Sequence, residues 1–361
     1  MRTHPMRLPL LAALAGLCAS ASTGAAPVPK PAKMDAATIA AYEKIGGRFG
    51  NLCPVGFGAM IFKSHDDGDR SEGLPAFQFT AFPTGKLPAV AIPFGIDFSR
   101  ERPGNAGLTG LMGLENLRAL SFHTEDTKEE EWAGLERLVG LEKLDLGCGI
   151  SPSTLSRIGA LKGIRELNLS GTHTTDADLK ELAGFELLEV LGLRATRVSD
   201  EGLSHLNGCK RMKALDLSDT AVSDAALKRM TGLRNLESLH LRNTKITGVG
   251  LGYLIDSKRL RDLNLRRTGV DDAGMIAIKA FADLEILEIS LTPITDAGMR
   301  NLAGLGRLTD LALQGTKITD AGAGELRGLK RLARLDLWAT DATAAGRKSL
   351  NEALPDCLIF R

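Results

Sequence analysis

Aromatic residues are scarce, with Phe, Trp and Tyr making up 4% of the 361 residues. That argues against a core built from a few large rings and for one made by stacking aliphatic side chains. Net charge is nearly absent too. The 45 Lys and Arg stand against 44 Asp and Glu, leaving +1, so no global field draws the chain onto nucleic acid or an anionic membrane. Five cysteines form no CxxC pair and no metal-ligand spacing, which removes zinc ribbons and thiol redox motifs. A membrane-spanning run is lacking as well. The apolar stretch at 8–17 falls short of the roughly 20 residues a bilayer helix needs.

That short stretch has another use. Arg2, His4 and Arg7 precede it and Ala19, Ser20 and Ala21 follow it, the layout of a secretory signal peptide over residues 1–21. Residues 22–34 then read as a Pro-containing linker. The expected location is outside the cytoplasm, in the periplasm, on the cell surface or secreted. Membrane attachment enters only through lipidation of Cys18, and Leu17 sits where such signals want Gly or Ala. Cys53, Cys148, Cys209 and Cys357 are widely separated and are read as buried free thiols.

What the chain has in abundance is leucine at a fixed interval. Leu-x-Leu pairs begin at Leu144, Leu167, Leu191, Leu215, Leu239, Leu263, Leu287 (with Ile289), Leu311 and Leu335, with a first step of 23 residues and later steps of 24. Extending backward reaches Leu120/Phe122 and Ile96/Phe98, and extending forward reaches Ile359. Taking the first Leu as position 0, Leu also recurs at −3, Thr at +5, Ile or Val at +7, Asp at +9, Gly at +11 and Leu or Met at +12, with apolar residues at +15. Alternation at 0 and +2 describes a short strand with one buried face. Spacing of three after +12 describes a helix with an apolar stripe. The Asp at +9 (Asp200, Asp224, Asp272, Asp296, Asp320) is expected to cap that helix, and the Thr at +5 to bond backbone in the turn after the strand. Gly at +11 is expected to permit close packing of neighbouring turns. One such unit cannot bury its own apolar stripe, so the unit must recur for the fold to exist.

The pattern LxxLxLxxTxITDxGLxxLxxL, seen at 236–260 and 284–308, resembles the leucine-rich repeat family. It is similar to the ribonuclease-inhibitor-like class and closest to the cysteine-containing subtype known from F-box proteins and from repeat proteins exported by bacteria. Eight threonines from Thr172 to Thr340 replace the usual Asn or Cys, and no F-box precedes the repeats. The resemblance implies an α/β fold, a right-handed horseshoe solenoid with a parallel sheet on the concave face and helices on the convex face. It implies function by binding. The expected organisation is an N-terminal cap over 35–95, with a helix at 35–45, strands at 76–82 and 90–94 and a polar insertion within 54–86. About eleven repeats follow over 96–354, and a capping strand over 355–361.

Side chains at −1, +1 and +3 should leave the sheet on its concave face. Two features stand out among them. Arg194, Arg242, Arg266 and Arg267 gather near His240, and guanidinium groups at strand spacing suit carboxylates, phosphates or sulfated sugars. The alternative is a solvated face in which Asp216, Asp262 and Glu288 neutralise the arginines. Trp338 is an aromatic on the same face, either a binding hot spot or a cover for the last turns. Arg194, His240, Arg242, Arg266, Arg267 and Trp338 are therefore the candidate ligand-binding residues.

Ser218, His240 and Asp216 superficially form a hydrolase set, but nothing in the repeat supplies an oxyanion site. The acidic stretch 64–73 lacks the alternation of a calcium loop, and no cofactor fingerprint is present. The expected function is non-enzymatic binding of a protein or peptide, without metal, cofactor or nucleic acid. A self-associating envelope scaffold is the alternative, and a recognition module like those of F-box proteins, or a hydrolase, is a remote one.

Overall fold

The 24-residue period becomes one strand and one helical turn per repeat. The computed structural model describes residues 33–65, 72–83, 85–98, 107–123, 128–147, 150 and 152–360. The chain forms two units, divided between Asn168 and Leu169. The signal peptide, Cys18, Cys148 and most of the polar stretch 64–73 lie outside the described residues.

In the first unit, helix α1 (Ala36–Glu43) is capped by Asp35, whose side chain accepts from the Thr38 amide. Strands β1 (Gly47–Gly56) and β2 (Ala59–Ser64) form an antiparallel hairpin. Strand β3 (Leu74–Phe79) pairs antiparallel with β1 and parallel with β4 (Phe94–Phe98). Then β5 (Leu117–Phe122), β6 (Lys143–Leu146) and β7 (Glu166–Asn168) continue the parallel ladder, with Ile96 opposite Leu120, Leu120 opposite Leu144 and Leu144 opposite Leu167.

Two expectations need correction here, and one element had none. The hairpin β1–β2 was not foreseen. The expected strand at 90–94 is absent: the chain is irregular until Phe94, because Pro93 has no amide to donate and the Val90 carbonyl is taken by Asn116 Nδ2 at 2.9 Å. The core of this unit, finally, is aromatic. Tyr42 stacks on Phe77 at 4.0 Å, Phe98 on Phe122 at 5.1 Å, and Phe122 meets Trp132 edge-on at 5.0 Å. Eleven of the sixteen aromatic residues of the chain belong to this unit, where ring packing adds to the area buried.

The second unit is the aliphatic stack. Strands β8 (Val190–Gly192), β9 (Ala214–Asp216), β10 (Ser238–His240), β11 (Asp262–Asn264), β12 (Ile286–Glu288), β13 (Asp310–Ala312), β14 (Arg334–Asp336) and β15 (Leu358–Phe360) pair in parallel, each with the next. Leu215 lies opposite Leu239, Leu239 opposite Leu263, and Leu335 opposite Ile359, the register that the Leu-x-Leu spacing predicts. The 0 and +2 leucines are buried throughout, as is Cys209, a free thiol.

Each strand ends in a turn of one design. The +5 threonine folds back and donates to the +2 carbonyl, as in Thr244 to Leu241 and Thr292 to Ile289, both at 2.6 Å. That turn requires a left-handed residue at +4. Ala195, Asp219, Asn243, Arg267, Leu291 and Ala339 all adopt positive φ there, against only Gly171 and Gly315. An L residue costs about 1–2 kcal/mol in that conformation, so the repeat's packing and the threonine bond impose it.

The Asp at +9 does not cap its own helix. The cap is the residue before it: Ser223, Thr295, Thr319 and Thr343 each accept the amide two residues on. The Asp carboxylate turns instead to the following repeat. Asp200 accepts the Ser223 amide and hydroxyl, both at 2.6 Å, and Asp296 accepts those of Thr319 at 2.8 and 2.5 Å. The glycine at +11 makes room for this carboxylate, since a Cβ on Gly298 would lie 2.5 Å from Asp272 Oδ1. Ala226 occupies the same place beside Asp200, so the backbone yields enough for one methyl there.

Candidate functional site

In the first unit the polar face of the sheet is already occupied. Asp145, at +1 of β6, is fully buried and accepts from the Met60 amide at 2.7 Å, from Asn168 Nδ2 at 2.7 Å and from His123 Nε2 at 3.1 Å. The turn of the β1–β2 hairpin lies against β7, where a Cβ on Gly58 would be 2.8 Å from the Leu167 carbonyl carbon. His123 fits because position 147 is glycine: a Cβ there would be 2.4 Å from the ring. The Asp145 hydrogen bond, outweighing the cost of burial and helped by the charges of Asp145 and Asp97, holds the His123 imidazole above its ordinary range. Ser121 Oγ lies 3.4 Å from His123 Nδ1, completing a Ser–His–Asp chain of contacts. Ser121 is fully buried, so no substrate reaches it, and the chain is a packing network that the hairpin seals.

In the second unit the same face carries the six candidate residues, and the structure separates them. His240, at +1 of β10, is buried and pairs through Nε2 with Asp262 at 3.0 Å, and Asp262 also accepts from Ser238 Oγ at 2.9 Å. Burial of the ring opposes its charge. The hydrogen bond and charge of Asp262, with the charge of Asp216, outweigh that against a push from Arg194, and the imidazole sits above its ordinary range. Arg266 donates to Gln314 at 3.1 Å and stands 3.9 Å from Glu288. Arg194 is exposed and pairs with Asp219 at 3.1 Å. Arg267 is exposed in the left-handed turn at +4, outside the row of Arg242 and Arg266. Trp338 is 53% exposed on the last turn, and on β15 beside it Leu358 and Phe360 are 63% and 50% exposed. Arg242 differs from all of these. Its Nε is buried and has no hydrogen-bond partner among the described residues.

The acidic residues of this face are engaged with backbone. Asp216 accepts the Ser218 amide at 2.8 Å, Glu288 the Ser290 amide at 2.9 Å and Asp336 the Trp338 amide at 2.9 Å, and Asn264 does the same for Arg266 at 3.0 Å. A +1 side chain thus satisfies the +3 amide, which the parallel ladder leaves over. Burial raises the Glu288 carboxyl, more than the Ser290 hydrogen bonds and Arg266 lower it. Neutralisation of the arginines by Asp216, Asp262 and Glu288 is therefore partial. Glu288 faces Arg266, Asp262 serves His240, and Asp216 serves backbone. The Ser218, His240, Asp216 set is not assembled, because the histidine turns to Asp262.

The −1 row was the missed signal. Ser238 and Asp262 both stand in it, opposite one another in register and two residues before His240 and Asn264 on their strands, and reading that row with the other two predicts the pairing. Among the described residues no group of three His, Cys, Asp or Glu side chains could hold a metal ion, and no helix is long and apolar enough to cross a membrane.

The family described as Leucine Rich repeat matches residues 232–254, 257–279 and 282–303, three consecutive turns of the second unit. These turns are leucine-rich repeats. Among solved structures, the chain is similar to an internalin (inlF) from Listeria monocytogenes str. 4b F2365. The match has 19% identity and a TM-score of 0.50, over 70% of this chain and 82% of that one. It is also similar to an internalin C2 (inlC2) from the same strain, with 21% identity and a TM-score of 0.43, over 63% and 89%. No curated protein matches the chain. At this identity the likeness to inlF is one of fold, and it agrees with the strand-and-turn repeat of both units. The repeats form an α/β stack of strands and helical turns whose polar sheet face is covered by the β1–β2 hairpin in the first unit.

Proposed function

We propose that this leucine-rich repeat protein is an exported, non-enzymatic binding module that takes a protein or peptide on the polar, concave sheet face of its second unit. The supporting observation is the buried, unpartnered Nε of Arg242 on a face where Arg194, Arg267 and Trp338 are exposed. His240 and Arg266 support that surface from within, because their own partners already hold them. The N-terminal residues 1–21 carry the export reading.

A crosslinking pull-down from the envelope and medium tests this, comparing wild type with a variant carrying Arg194→Glu, Arg267→Glu and Trp338→Ala. These three side chains are exposed, so the fold survives their loss. A partner captured by wild type and lost by the variant supports the face, and equal capture moves the site elsewhere.

One observation favours a second reading, self-association. Among the described residues β15 has a strand neighbour on one side only, and it exposes Leu358 and Phe360 beside Trp338, an unblunted apolar edge of the kind that pairs with another chain. Light scattering across a concentration series decides it. Assembly abolished by Phe360→Lys supports the scaffold, and a monomer at every concentration removes it.

A further inference from the structure

Resting on the concave-face reading above, we infer that Arg242 is the anchor for a side-chain carboxylate of an extended peptide that runs across the strands of the second unit toward Trp338. A buried N–H without a partner keeps its desolvation cost uncompensated, and a guanidinium cannot escape that cost by losing its proton. The neighbours of Arg242 do not share its condition. Arg266 has Gln314 and Glu288, Arg194 has Asp219, and His240 has Asp262. Arg157, the other described residue with a buried, unbonded Nε, still holds Glu136 through Nη1 at 3.0 Å. The acids closest along the face are turned to other donors, Asp216 to the Ser218 amide and Asp262 to His240 and Ser238. An incoming oxygen is what Nε lacks, and because the side chain as a whole is only half-buried, an outward turn of the guanidinium brings Nε to one.

The surrounding charge selects the kind of anion. Arg194, Arg242 and Arg266 occupy the +3 row on strands whose +1 residues are Gly192, His240 and Asn264, while the +1 acids Asp216, Glu288 and Asp336 lie on other strands of the same face, with Asp262 and Asp310 at −1. A polyanion such as a sulfated sugar or a nucleic acid crosses these acids and is repelled. A single carboxylate seats on the +3 row without meeting them, and the planar fork of a guanidinium binds it in two-pronged fashion. Trp338 lies in that same row four strands from Arg242, roughly 19 Å at strand spacing. An extended chain covers that distance in about six residues. The ligand so described carries Asp or Glu about six positions from an apolar residue that packs on Trp338.

The test follows the arginine Nε signals by NMR while titrating acetylated, amidated Glu-Ser-Ser-Ser-Ser-Ser-Leu. The Arg242 signal is the one absent from Arg242→Lys, which keeps the charge and loses the donor. The peptide is expected to shift that signal, to bind Arg242→Lys at least tenfold more weakly, and to bind Trp338→Ala several-fold more weakly. The same peptide with Gln for Glu, and a version with Gln and a free C-terminal carboxylate, are expected to leave the signal in place. Three results overturn the inference: no shift at millimolar peptide, equal binding by Arg242→Lys, or a shift produced by a heparin hexasaccharide and not by the Glu peptide. Arg242→Met is expected to melt no lower than wild type, and a lower melting temperature assigns the residue to the fold. If the pull-down variant loses its partner while the Glu peptide has no effect, the face stands and the carboxylate anchor falls.

Discussion

The carboxylate of Asp272 closes onto Thr295 of the following turn, accepting from its amide at 2.8 Å and from its hydroxyl at 2.6 Å. The Gly298 amide adds a third bond at 3.0 Å. The same clasp joins Asp176 to Ser199, Asp200 to Ser223, Asp296 to Thr319 and Asp320 to Thr343. It is a side-chain ladder running beside the backbone one, and it tells each turn which neighbour it belongs to. Asp272→Ala is expected to lower stability by about 1.5–3 kcal/mol, the range for hydrogen bonds to a charged acceptor. Urea unfolding checks it through a lower midpoint at unchanged slope.

Gly248 interrupts this ladder, standing where other turns carry Asp, and Asp271 replaces the Ser or Thr of the next turn. The two backbones close the gap themselves, so that a Cβ on Gly248 would lie 2.2 Å from Gly274 Cα. Gly248→Ala therefore forces the turns apart and is expected to cost about 1–3 kcal/mol. Gly252, four residues on, has nothing within 4 Å of the same added atom, and Gly252→Ala is expected to gain about 0.4–1 kcal/mol. Thermal unfolding of the pair shows opposite shifts, and shifts of one sign refute the close-approach argument.

Asp145 ties residues from four segments into one buried point. Removing its carboxylate takes this acceptor from the Met60 amide, the Asn168 side chain and the His123 ring together. Asp145→Ala is expected to cost about 3–5 kcal/mol, as for breaking a buried charged pair. Hydrogen exchange at Met60 is expected to accelerate ahead of the second unit's strands, because the hairpin loses its hold on the face. Equal acceleration throughout the chain places the loss elsewhere.

Much of the second unit was legible from spacing alone. Leu239 predicts its partner Leu263 because a parallel strand has one register that keeps both leucines inside, and Thr244 predicts its own turn. The roles that escaped are those played between turns. Asp296 reads as a helix cap within its own repeat, since the cap and the clasp use the same residue types, and only the structure shows Thr319 as the partner. The left-handed turn at +4 leaves no trace in Ala195 or Leu291, where glycine would have announced it. The β1–β2 hairpin had a weak signal in Gly56-Phe57-Gly58, and nothing local connects Met60 to an aspartate 85 residues away. Among the candidate site residues, Arg242 and Trp338 followed from the row at +3, whereas the engagement of His240 depended on the row at −1.

His240 makes the second unit sensitive to pH in a direction that can be stated. Its folded value is held above the ordinary 6.5 by Asp262 and Asp216 in spite of burial, so the folded chain binds the proton more tightly than the unfolded one. The stabilisation is then fully present below about pH 6.5. It is lost progressively as pH rises through the folded value, where the ring becomes neutral in both states. His123 acts in the same sense in the first unit through Asp145. Asp262→Asn removes the charge partner of His240 and leaves His123 untouched. The difference in stability between wild type and Asp262→Asn is expected to be largest at pH 5.5–6.5 and to narrow toward pH 9. The His240 ring resonance is expected to titrate above 6.5 in wild type and below its wild-type value in the variant. A wild-type ring titrating below 6.5 means burial prevails over Asp262, and the pH dependence then reverses sign.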